Sequence, residues 1–534
     1  MSDSTVLTGN IVDVVAGRIF PGQVTLADGR VASIEETPGV SYEALICPGL
    51  VDAHVHVESS LLSPSEFGRA AFIHGTVASV SDPHEIANVL GIKGVEWMLE
   101  DAKNTPFDIY FGAPSCVPAT PFETAGATFG PEEVDQLLAK DEIRYLAEVM
   151  NFPGVINRDP LMMGIIAKAK ARGKRIDGHA PAVTGEDIKK YAAAGIETDH
   201  ESITLDEARQ KCQLGMKIAI RDGSAARNFD ALWPLLKEFP EQCFFCSDDK
   251  HPDDLDVSHI DELVARSIAH GIEPMVALRA ATINPVRHYG LEVGLLQVGD
   301  PADVVEFKSL ESMKCQRCWK DGQLVAEKGE SKLEYRKPNA INLFEAKQTR
   351  PEDFVLRDSD GPRRVIVALD GQIVTDEETL EADGPDIERD LCLIAVVNRY
   401  ASTPPSVALI KGFGLKDGAM ASSVAHDSHN VVVVGTNPRD LSRAANLVIA
   451  AGGGLSVIAG SGGRVLPLPI AGLMSDGTCA DVAASFTALS NAAKSLGCQL
   501  GSPYMTLSFM ALLVIPKLKI SDKGLFDVGT FSLL

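Results

Sequence analysis

Between residues 44 and 288 the chain alternates eight apolar, strand-like runs with helical stretches, and no other feature restricts the fold as much. The runs are ALICPGLVDAHVHV, GTVASVSDP, DIYFGAPSC, IRYLAEVMN, KRIDGHAP, GIETDHES, MKIAIRDG and CFFCSDD. Between them lie segments with helical spacing, such as HEIANVLGIKGVEWMLEDAK and DPLMMGIIAKAKARG. Strands that alternate with helices pair in parallel, because each helix carries the chain back across the sheet. Eight such repeats in about 240 residues match an α/β fold, the (β/α)8 barrel, whose usual size is ~250 residues. A doubly wound open sheet is the alternative, but the glycine-rich dinucleotide fingerprint that should follow its first strand is missing.

The flanks of this unit resemble each other. Residues 1–48 read as short strands, with a hairpin signal at Asp28-Gly29, and a similar pattern returns in GLLQVGDPADVVEFKS and KDGQLVAEKG. Neither piece is long enough for its own core, so the expectation is one small β-sandwich domain assembled from 1–48 and 289–340, with the barrel of 49–288 inserted. The polar, charged stretch from about 328 to 362 reads as a connector. From 363 to 534 a further set of strands (RRVIVALDGQIVT, DLCLIAVVNRY, HNVVVVGTN) precedes Ala- and Gly-rich helical segments, which describes an α+β domain.

The formal charge of −24 argues against nucleic acid or an anionic membrane as partner, since either polyanion would be repelled. Ten scattered cysteines lack the spacing of a disulfide scaffold, and the N-terminus lacks the basic and apolar regions of a signal peptide. FMALLVIP is apolar but too short to span a bilayer. A cytoplasmic protein with reduced thiols is expected.

In a barrel the functional groups gather at the C-terminal strand ends. Reading each run to its end places His54 and His56 on strand one, Asp82-Pro83-His84-Glu85 on strand two and Glu148 on strand four. Strands five, six and eight then contribute His179, His200 and Asp248. His54 and His56, two apart on a strand, point to one face. A hydrogen-bonded polar pair would explain those two alone. Four histidines and two carboxylates at one mouth instead suit zinc, manganese or iron, and six ligands with one bridging carboxylate suffice for two ions.

His74, His259, His270 and His288 fall on helical stretches or their ends and read as structural or exposed, and His251 as a solvated loop residue. The pairs Cys243/Cys246 and Cys315/Cys318 are too far apart for a zinc ribbon and read as ordinary thiols. In the last domain AHDSHNVVVV sets His426, Asp427 and His429 just before an apolar strand. Asp427, Ser428 and Asn430 are common turn formers, so a plain turn is one reading. The other is a loop, joined by Met474-Ser475-Asp476, that covers the barrel mouth. On that reading a chain ending near residue 363 would keep its metals and lose most of its turnover.

PGLVDAHVHVESS, the order of candidate ligands and the returning GDPADVV segment resemble the amidohydrolase superfamily. HVHVESS, SDPHEIANV, AEVMNFPGV, DGHAP, TDHES, CSDDKHPDD and ASSVAHDSHNVVVVGTN are similar, more narrowly, to the bacterial adenine deaminase family, over nearly the whole chain. The resemblance implies a metal-dependent barrel with two divalent ions, manganese first and iron or zinc as alternatives. His54 and His56 would hold one ion, His179 and His200 the other, with Glu148 bridging and Asp248 completing the first site. It implies hydrolysis of adenine to hypoxanthine and ammonia, with Glu85 protonating a ring nitrogen and Asp248 carrying the proton to the leaving amine. His84, Asn151, His426 and His429 are the expected contacts to a small-molecule purine base, and the expected assembly is a homodimer. A hydantoinase- or dihydroorotase-like cyclic-amide hydrolase, or an enzyme for another aminopurine, is the alternative. Many cyclic-amide hydrolases bridge their metals with a strand-four lysine, which IRYLAEVMN lacks. A non-enzymatic scaffold would be expected to lose ligands, and all six are present.

Overall fold

The computed structural model describes residues 4–224, 226–357 and 361–534. The chain opens with β1 (Thr5–Asp13), β2 (Arg18–Ala27), β3 (Arg30–Glu36) and β4 (Leu45–Pro48). Asp28 (φ 52°) and Gly29 (φ 75°) turn β2 into β3, the two successive positive φ values that match the twist of a tight hairpin. Eight strands follow: β5 (Leu50–Val55), β6 (Thr76–Ser81), β7 (Asp108–Ala113), β8 (Ile143–Val149), β9 (Arg175–Gly178), β10 (Thr198–Asp199), β11 (Lys217–Arg221) and β12 (Cys243–Cys246). The chain then returns to its beginning with β13 (Val304–Phe307), β14 (Cys315–Lys320), β15 (Gln323–Glu327) and β16 (Glu330–Ser331).

Both flanks join in one eight-stranded sheet, ordered β16-β15-β14-β13-β4-β1-β2-β3. The two flanks meet at β4, which pairs along one edge with β1 and along the other with β13. The run ALICPGLVDAHVHV, read as one strand, is two: β4 belongs to the flank sheet and β5 to the parallel unit. Gly49 makes the junction, where a Cβ would stand 2.3 Å from Val77 Cγ2.

Strands β5 to β9 form a five-stranded parallel sheet and β10 to β12 a three-stranded one. Bonds cross both seams: Asp248 N donates to His54 O (2.9 Å) on one side and Gly178 N to Thr198 Oγ1 (3.1 Å) on the other. β5, β6 and β12 are buried along their whole length, which is why these strands read as continuous apolar runs and not as alternations.

The third unit is a mixed sheet, with a small three-stranded sheet (residues 518–533) beside it. It contains β17 (Arg363–Ala368), β18 (Thr375–Leu380), β19 (Cys392–Val397), β20 (Ser406–Lys411), β21 (Ala419–Ser422), β22 (Val431–Gly435), β23 (Gly454–Ala459) and β24 (Gly462–Pro467). On β22 successive side chains face opposite ways. Val431 and Val433 pack under the helix Pro438–Ala451, whereas Val432 and Val434 join the core that Leu62, Phe67 and Val80 of the parallel strand–helix unit also share. The last unit is therefore fused to the parallel strand–helix unit through a common apolar core. Removing it would expose that core, so the expected free-standing barrel after truncation near 363 does not follow from this packing.

Candidate active site

All six expected donors sit on, or within two residues of, the C-terminal ends of β5, β8, β9, β10 and β12, and all are at least 93% buried. His54 Nε2 and His56 Nε2 lie 3.2 Å apart, and Asp248 Oδ1 is 3.6 Å and 3.2 Å from them. On the other side His179 Nδ1 and His200 Nε2 are 2.8 Å and 3.1 Å from Glu148 Oε2. Glu148 Oε1 turns back to His56 Nε2 (3.4 Å) and His84 Nδ1 (3.5 Å), so this one carboxylate stands between the two histidine pairs. Asp248 adopts a left-handed backbone (φ 52°), a conformation that aims its carboxylate into the mouth at a cost the surrounding bonds must meet.

The donor set fits divalent cations. Groups such as His54/His56/Asp248 and His54/Glu148/His200 place every donor atom within 4.8 Å of the others. Imidazole nitrogens and carboxylate oxygens in such proximity are the chemistry that zinc, manganese and iron select. Burial alone would raise the Glu148 carboxyl, but the charges of His179 and His200 hold it well below the ordinary range. Burial opposes ionisation of Asp248 too, and Arg221, His54 and His56 reverse that effect.

Two residues of this set escaped the sequence reading. Arg221 ends β11, the strand from which no functional residue was drawn, and Glu201 follows His200. The Arg221 guanidinium donates to Glu201 Oε1 (2.5 Å), Glu201 Oε2 (2.9 Å) and Asp248 Oδ2 (2.5 Å). Glu201 Oε1 also lies 3.6 Å from His179 and 3.5 Å from His200. The rule that found the others, a charged side chain at a strand end, applied to Arg221 equally.

Glu85 enters on the first turn of the helix His84–Leu90, directly after β6. Its carboxylate is taken by the last domain: His426 Nδ1 meets Oε1 and His429 Nε2 meets Oε2. Ala425 N donates to His429 Nδ1 (3.1 Å), so the proton of that ring is on Nε2, facing Glu85. Burial draws the His426 ring down, yet the charge of Glu85, with Asp249 and Asp427, lifts it to about 9. His426 Nε2 is buried without a partner, and the ring stacks on Phe509 at 4.8 Å. His84 lies between the two clusters, its Nε2 3.6 Å from Glu85 and 3.8 Å from Asp427.

The 424–430 loop is thus a turn, as its composition suggests, and is also buried against Glu85 at the strand ends. Met474-Ser475-Asp476 is not part of that cover. Ser475 N donates to Leu61 O (2.8 Å) and Asp476 pairs with Lys337, beside the mouth. Asn151 caps the helix Phe152–Ile156 through Gly154 N (2.9 Å), and its neighbour Met150 lines the site in its place. His251 is buried against Phe486, not solvated, and burial pulls it down to about 4. His259 is structural: Nδ1 faces Thr76 Oγ1 (2.8 Å) and Nε2 faces Asp52 Oδ2 (2.9 Å). The CxxC cysteines are buried free thiols, like the other six.

Residues 45–325 match the model of the amidohydrolase family, and residues 372–532 that of the adenine deaminase C-terminal domain. An adenine deaminase from Salinibacter ruber is 51% identical, with 99% of this chain and 98% of the relative covered. One from Sulfurovum sp. is 51% identical, and one from the archaeon Methanosarcina mazei 47% identical, each covering 98% of both chains. The narrower bacterial grouping therefore widens. The chain belongs to the adenine deaminase family of amidohydrolases.

Proposed function

We propose that the protein hydrolyses adenine to hypoxanthine and ammonia at the mouth of a closed (β/α)8 barrel (49–288), supported by a flank domain (1–48 and 289–340) and a C-terminal domain (363–534). The observation that carries this reading is the buried meeting of the six donors, Asp248 among them, with Glu85 beside five of them in one cavity. His54, His56 and Asp248 would hold one divalent ion, His179 and His200 the second, and Glu148 both; manganese is the first choice, with iron or zinc as alternatives. Such ions, when bound, supply a water acidic enough to act as nucleophile near neutral pH.

The protein's own groups then move the protons. Asp248, held ionised by Arg221, accepts the proton of the attacking water and returns it to the departing amine. Glu85 delivers a proton to the ring nitrogen as the amino-bearing carbon becomes tetrahedral. Charged His426 on Oε1 is the store from which Glu85 is supplied. His84, between Glu85 and Glu148, is placed to orient the base. Phe509, Leu512 and Ile515 exclude water from the same space.

The test is to incubate manganese-loaded protein with adenine, other aminopurines and cyclic amides, and to assay ammonia. Release from adenine well above the rest supports the reading. Turnover of a cyclic amide alone would overturn it.

A further inference from the structure

The run DLCLIAVVNRY carries β19 to Val397 and then leaves the strand through Asn398, Arg399 and Tyr400. Arg399 is fully buried. Every acceptor its side chain meets among the described residues is a neutral carbonyl or amide oxygen. Nε and Nη2 donate to Leu343 O (3.2 and 2.9 Å), Nη2 also to Asn342 Oδ1 (3.1 Å), and Nη1 to His429 O (3.3 Å). Gly472 leaves room for the fork, since a Cβ there would stand 2.9 Å from both Nη1 and Nη2. Burial pulls the guanidinium down to about 10, so it stays charged at neutral pH.

A cation buried without a carboxylate is costly, and a neutral side chain could satisfy a single carbonyl with less desolvation. What arginine alone offers is a planar fork of five donors, here spread over the connector at 342–343 and the loop at 429. The main chain repeats the link. Arg399 N donates to Asn430 Oδ1 (3.0 Å), and Asn430 Nδ2 donates to Thr124 O (2.8 Å) in the segment between β7 and β8. The Tyr400 hydroxyl donates to Ser428 O (2.6 Å). Residues 428, 429 and 430 are thus each held from 399 or 400, although neither Arg399 nor Tyr400 lines the active-site cavity.

Between those bonds His429 adopts a left-handed backbone (φ 54°), which a histidine keeps only where its surroundings over-determine it. Its N–H donates to Ala425 O (2.8 Å), its Nδ1 accepts from Ala425 N, and its carbonyl takes Arg399. The ring that meets Glu85 Oε2 is therefore aimed by a backbone that Arg399 helps to fix. We propose that Arg399, with Tyr400 beside it, is a positioning residue, which holds the 428–430 backbone so that His429 keeps the Glu85 carboxylate in place to deliver its proton. The chemical part of this inference rests on the reading of Glu85 as proton donor. The grip on the loop does not.

In metal-loaded Arg399→Met, kcat for adenine should fall about ten- to a hundredfold, the scale of a misplaced catalytic group, with KM and metal content little changed. His429→Ala supplies a comparison that a merely structural role would not meet: with the ring gone, adding Arg399→Met should cost little more. Losses that multiply in the double variant overturn the proposal, as does a raised KM at unchanged kcat. Should Arg399→Met fail to fold, Tyr400→Phe, which deletes one hydroxyl, carries the test with the same split and the same non-additivity. A crystal structure of the variant reads the geometry without turnover. His429 Nε2 displaced from Glu85 Oε2 sustains the proposal, and an unmoved ring overturns it. Absence of ammonia from adenine in the wild type, alongside a displaced ring in the variant, would reject the reaction and leave the positioning standing.

Discussion

Replacing Glu85 by glutamine separates its chemistry from its role in holding two domains together. Both carboxylate oxygens accept from histidines of the C-terminal unit. His429 has no freedom to adapt, because Ala425 N occupies its Nδ1 and its Nε2 proton must meet an oxygen. In Glu85→Gln the amide oxygen therefore stays on His429, and the amide NH2 turns to His426. Charged His426 presents an N–H there and clashes with it; neutral His426 presents a lone pair and accepts. The variant is thus satisfied only when His426 gives up its proton. In the wild type that proton is retained to about 9, against an ordinary value of 6.5. A folded-state pKa raised in this way stabilises fully below 6.5 and is lost as the pH rises through 9. The displacement corresponds to about 3 kcal/mol, counted once for the shared Glu85–His426 interaction. Thermal midpoints of the holoenzyme should therefore differ most at pH 6 and converge above pH 9. Metal content should stay near normal, and ammonia release should fall by about 10²–10⁴, the span for a positioned acid. An equal loss of stability at pH 6 and pH 9.5, with the rate retained, would refute the reasoning and leave Glu85 as a first-turn helix carboxylate.

Glu148→Gln should fold but lose metal, measured by elemental analysis, and with it turnover, since its charge faces both histidine pairs; full occupancy and normal activity would sink the bridging role. His429→Ala should slow ammonia release at normal metal content, because it frees one oxygen of Glu85 to drift from its aim; loss of metal in this variant would contradict the assignment. Arg221→Met leaves Asp248 and Glu201 buried without their cation and should destabilise by about 3–5 kcal/mol, read from denaturant midpoints; an unchanged midpoint would mean that other groups carry the charge.

Much of this molecule can be read along the chain because the relevant forces are local or periodic. Eight apolar runs separated by helices specify parallel pairing, and in such a unit the strand ends are where side chains meet. That is why His54, His56, Glu148, His179, His200 and Asp248 could be named without coordinates. Arg221 carries the same signal, a charged side chain at the end of a strand. The limits of the reading are equally physical. That Asn151 caps a helix and Met150 faces the site depends on how the backbone turns after β8, which composition does not encode. That His426 and His429 grip Glu85 depends on contacts between residues 341 and 344 positions apart in the chain. The sequence by itself determined the repeat, the donor types and their order. Only the tertiary structure decided that the C-terminal domain shares a core with the parallel strand–helix unit and holds both oxygens of Glu85, because a contact formed by packing two distant surfaces leaves no periodic trace in either.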